Sequence, residues 1–74
     1  MILVRDEKLL ISFGNHLAKT RKSKGLSQEK LAFTASVSLS QISRLERGLI
    51  NPTLSTLFAL SKGLDIPLKE LTDF

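Results

Sequence analysis

Seventy-four residues without a cysteine leave room for one core, and exclude a disulfide framework or a thiolate metal site as its support. No stretch approaches the roughly 20 apolar residues of a membrane span, and MILVRDEKLLISF at the start carries four charges with no small-residue cleavage site behind it. That argues against a signal peptide and for a cytoplasmic protein. The net charge of +4 is concentrated: between Lys19 and Arg47 seven basic residues meet two acidic ones, while the remainder is slightly acidic. Such a field suits a polyanionic partner, and an ordinary solvated surface stays open as the other reading.

Strand signals are missing along the whole chain, and helical spacing recurs in their place. Leu9, Leu10, Phe13, Leu17 and Arg21 follow steps of three and four, and Gly25 stops this first helix after KTRKSKG. Ser27 reads as the N-cap of a second helix, with Leu26 and Leu31 as its hydrophobic staple. Leu31, Ala32 and Ala35 make a narrow apolar stripe whose small residues admit a close neighbour. Ser38 repeats the device: Val37 and Ile42 form the staple, Ser38 and Gln41 a capping box, and Gly48 closes the third helix.

INPT breaks the chain, and Thr53 caps a fourth helix with Leu54, Leu57, Phe58, Leu60 and Leu64 on its apolar side. Pro67 fits the first position of a short last helix carrying Leu68, Leu71 and Phe74. The expectation is an all-α fold of five helices, one domain over residues 1–74. Leu49 and Ile50 interrupt a loop that should be polar, and Leu57, Phe58, Leu71 and Phe74 add more apolar surface than one small helix layer can bury. A two-fold homodimer built on these six residues is therefore expected.

On the third helix Ile42 and Leu45 point inward, which turns Leu39, Ser40, Ser43, Arg44 and Arg47 outward. His16 is the only histidine; with no second histidine, cysteine or convergent carboxylates it suits a structural role better than a metal or catalytic one. No phosphate-binding glycine loop or nucleophile elbow is present. Neither an enzyme, a cofactor, a metal site nor a small-molecule ligand is expected.

The run GLSQEKLA from Gly25 to Ala32, followed by Val37-Ser38, Ile42-Ser43, Leu45-Glu46, Gly48 and then Pro52-Thr53-Leu54, resembles the Xre/Cro–CI helix-turn-helix family over about residues 9–72. That family includes phage repressors, restriction–modification controller proteins and many antitoxins. The resemblance implies a lambda-repressor-like domain whose second and third helices, about residues 27–48, bind double-stranded DNA, usually as a homodimer. It makes Leu39, Ser40, Ser43 and Arg44 candidates for reading base edges, with Arg44 presenting its planar fork to guanine. Gln28, at the first position of its helix, is a candidate for holding a phosphate. Lys22, Lys24 and Arg47 are candidates for further phosphate contacts, and for the lysines a solvated helix end remains the alternative.

Arg21 and Glu46 occupy positions where the resemblance implies a salt bridge between the first and third helices. Ser36 stands where the family has glycine, Thr20 where it has an aliphatic residue, and Gly63 where alanine is common and fraying would follow. Phe33 falls at a position expected to be polar, open either to cover by the MILV segment or to solvent. The function implied is a DNA-binding transcriptional regulator, of the controller or small phage type. An antitoxin that also binds DNA is the alternative.

Overall fold

The computed structural model describes residues 5–74; the MILV segment considered as cover for Phe33 lies outside the described residues. Five helices follow in order: α1 (Glu7–Ser23), α2 (Gln28–Ala35), α3 (Leu39–Glu46), α4 (Leu54–Leu64) and α5 (Leu68–Leu71). No strand forms among the described residues. Four starts have the same local cause. Asp6, Ser27, Ser38 and Thr53 hold extended backbone, and their side-chain oxygens accept the amide N–H of Leu9, Lys30, Gln41 and Thr56 at 3.0–3.1 Å. At α5, Pro67 precedes the helix rather than filling its first turn, and offers no side-chain cap.

Four ends share one closure. At Gly25, Ser36, Gly48 and Asp65 the backbone turns left-handed. The next residue (Leu26, Val37, Leu49 and Ile66 respectively) then returns its N–H to a carbonyl five positions back at 3.0–3.1 Å. Leu26, Val37 and Ile66 fold onto the core from these turns. Ser36 keeps the left-handed turn without being glycine, at a cost of about 1 kcal/mol.

Phe13 and Leu17 of α1, Leu31, Ala32 and Ala35 of α2, Ile42 and Leu45 of α3, and Leu60 and Leu64 of α4 form one cluster with Ile66 and Leu71. Leu71 has no exposed surface. α5 packs against α4 and α1, and Leu71 closes the core there, so it is not available to a partner; this corrects its expected place at a dimer interface. Leu54 and Phe58, expected on the apolar side of α4, look outward, while Leu60, Ser61 and Leu64 face in.

Gly63 does not fray α4, which runs on to Leu64. A Cβ at Gly63 would lie 2.7 Å from the Cβ and 2.9 Å from the Cα of Ala35. The glycine therefore seats α4 directly on α2, and the Thr34 hydroxyl donates to the Gly63 carbonyl across the same contact at 3.1 Å.

Candidate nucleic-acid interface

α2 and α3 are joined by Ser36, Val37 and Ser38, with the left-handed turn at Ser36 setting the angle between them. Ile42 and Leu45 hold the rear of α3 in the core. On its front, Leu39, Ser40, Arg44 and Arg47 are exposed and Ser43 is half-buried. The Arg44 guanidinium has no hydrogen bond or ion pair among the described residues, so its fork is free. Arg47 Nε leans back on the Ser43 carbonyl at 3.4 Å, at the end of the helix.

Behind this face α1 grips the far end of α3. Arg21 is 8% exposed, and its Nε donates to Glu46 Oε2 at 2.6 Å and its Nη2 to Glu46 Oε1 at 3.1 Å. Its Nη1 donates to the Leu26 carbonyl at 2.7 Å, so the buried cation is bonded on every nitrogen. The hydrogen bond to Glu46 raises the guanidinium pKa; burial opposes it, and the charges of Glu46 and Glu29 add to it. Gly14 completes the grip: a Cβ there would stand 2.5 Å from the Leu45 carbonyl oxygen and 2.6 Å from that of Glu46. Arg5 Nη2 also donates to the Leu49 carbonyl at 2.8 Å, just past α3.

One connection was not visible in the sequence. Gln28 Nε2 donates to Glu46 Oε1 at 2.9 Å, so the amide considered for a phosphate spends an N–H on the end of α3. Eighteen positions separate the two residues, beyond the reach of any helical or capping pattern. Gly14 was missed for the same reason, since its role is an approach between helices rather than a turn.

Lys22 and Lys24 are exposed at the end of α1. His16 Nε2 donates to the Glu70 carbonyl at 2.9 Å, and its ring stacks on Phe74 at 5.7 Å; Phe74 also meets Phe13 at 5.7 Å. The histidine thus joins α1 to the end of the chain. Phe33 stands 78% exposed, with Lys30 Nζ 5.6 Å above its ring. Leu49, Phe58 and Phe74 are about half exposed, and Ile50 and Leu57 are half-buried against the core.

The profile of the helix-turn-helix family HTH_3 matches residues 17–71. The chain belongs to this family of DNA-binding transcriptional regulators. Control protein C.BamHI from Bacillus amyloliquefaciens is 41% identical to this helix-turn-helix regulator over 63 residues, 84% of this chain and 78% of that protein. Control protein C.MunI from Mycoplasma sp. is 44% identical over 62 residues, 82% of this chain and 84% of that protein. Among solved structures, the restriction–modification controller protein C.AhdI from Aeromonas hydrophila superposes with a TM-score of 0.82 at 42% identity, covering 84% of this chain and 94% of that one. The five-helix all-α fold of the regulator is that of the controller structures. No helix among its described residues is long and apolar enough to cross a membrane.

Proposed function

We propose that the chain is a single-domain controller-type regulator that binds a symmetric operator as a homodimer in the cytoplasm, with no small-molecule ligand. The observation that carries this reading is the asymmetry of α3. Its rear and its last residue are fastened to α1 and the core, while its outer face presents Leu39 and Ser40 in the first turn and Arg44, unpaired among the described residues, in the last. A helix held in that way can enter the major groove with its N-terminal residues against base edges. In this reading Leu39, Ser40, Ser43 and Arg44 read bases, with Leu39 against a thymine methyl group. Arg47, Lys22, Lys24 and the first backbone amides of α2 hold phosphates, together with the second N–H of Gln28. The control proteins among its relatives support the controller reading, and no residue described above favours an antitoxin.

The dimer surface proposed is Leu49, Ile50, Leu57, Phe58 and Phe74, without Leu71. The test is selection of duplexes from a random pool by the purified protein, followed by sequencing. Two inverted half-sites, their centres about 10 base pairs apart or a multiple of that, are the expected result. An enriched site with one half only, or no enrichment, would overturn the proposal.

A further inference from the structure

We infer that Gln28 is a positioning residue for base reading, acting through Glu46, rather than chiefly a phosphate ligand. The inference rests on the reading of α3 as the base-reading helix. Glu46 is the last residue of α3, and its carboxylate is shared: Oε2 takes Arg21 Nε, and Oε1 takes both Arg21 Nη2 and Gln28 Nε2. Arg21 fixes that carboxylate from α1, and Gln28, the first residue of α2, fixes it from a second direction. Two tethers from different helices restrain rotation as well as distance.

Leverage makes this restraint matter. The tethered end of α3 is its C-terminus, whereas Leu39 and Ser40 stand at its N-terminal end, and six steps of 1.5 Å separate Ser40 from Glu46 by about 9 Å. A tilt of about 5° at Glu46 would therefore carry Ser40 by about 0.8 Å, enough to spoil a hydrogen bond to a base edge. Phosphate contacts, made by long flexible side chains and by α2 itself, tolerate such a shift. Losing the Gln28 tether should thus lower discrimination between sequences more than it lowers binding to DNA as such.

The experiment compares wild type, Gln28→Met and Gln28→Lys on the selected operator and on a scrambled duplex, at several salt concentrations, with a thermal melt of each. Methionine keeps the shape but has no N–H, and lysine returns one within reach of Glu46. For Gln28→Met the ratio of operator to scrambled affinity should fall about three- to thirtyfold with the salt slope unchanged. Gln28→Lys should recover most of the ratio.

Equal weakening on both duplexes by Gln28→Met, with the ratio kept at the wild-type value, would make Gln28 a phosphate ligand and overturn the inference. So would a Gln28→Met ratio equal to wild type, or a lysine variant that binds both duplexes more tightly while its ratio stays at the methionine level. A wild type that prefers no duplex would sink the reading of α3 itself, a result distinguishable from all of these.

Discussion

Three arginines on or beside α3 differ in what their surroundings leave them free to do. Arg21 is committed to Glu46 and Leu26, Arg47 leans on its own helix, and Arg44 has no partner among the described residues. Arg44→Ala should cost about 1–3 kcal/mol on the selected operator and relax selectivity at one base pair in each half-site. Arg47→Ala or Lys22→Ala should weaken operator and scrambled DNA alike, lowering the salt slope by about one for each phosphate no longer neutralised. Titration of each variant against both duplexes separates the two outcomes, and equal weakening by Arg44→Ala would make that residue a phosphate clamp. For the buried pair, Arg21→Ala and Glu46→Ala should each lower stability by about 3 kcal/mol, because each strands a buried charge, and the double variant should recover part of the loss. Strictly additive losses in urea melts would contradict the coupling. Because folding raises the Arg21 pKa, its contribution is complete below the unfolded guanidinium value and lost only as pH rises through the folded one. Melts across the neutral range should therefore show no titration from this arginine.

Elements are set by two kinds of signal, and only one of them is local. Ser36 illustrates the local kind: Ser36→Gly removes left-handed strain at some cost in chain entropy, and should raise stability by about 0.5–1 kcal/mol. Gly63 illustrates the other. Gly63→Ala adds a good helix former, yet its Cβ would collide with Ala35, so stability should fall by about 1–2 kcal/mol. Thermal melts should move in opposite directions for the two variants, by about 4–8 °C per kcal/mol in a domain of this size. The same division explains what was legible in the sequence. Ser27, Ser38 and Thr53 announce helix starts, and Gly25 and Gly48 announce stops, because each acts within four residues of itself. Asp65 ends α4 in the same left-handed turn with no glycine to signal it. The Gln28–Glu46 bond, the Gly14 and Gly63 approaches and the burial of Leu71 depend on how helices meet, which spacing within one helix does not encode.

For the whole molecule, the apolar residues left outside the core carry the proposed assembly. Leu49, Phe58 and Phe74 remain about half exposed once α5 has docked, and Leu57 is half-buried between them and the core. A second copy related by a two-fold axis would cover this surface and set two recognition helices about 34 Å apart, one turn of duplex DNA. Sedimentation at tens of micromolar should give a dimer, and Phe58→Glu should shift it toward monomer while leaving the monomer folded. A monomer both free and on operator DNA would contradict the arrangement.

Fastening α3 at Glu46, at Gly14 and through Ile42 should also bear on how readily the regulator is degraded. Neither α2 nor α3, at eight residues, is long enough to persist as an isolated helix. The helix-turn-helix segment should therefore open to a protease together with the domain, so that degradation follows global stability rather than local fraying. Substitutions at Gly14 or Arg21 would then act on dosage as well as on binding, since a less stable chain is cleared faster. If the regulator pairs as proposed, halving the monomer supply under dilute conditions should leave about a quarter of the dimers by mass action.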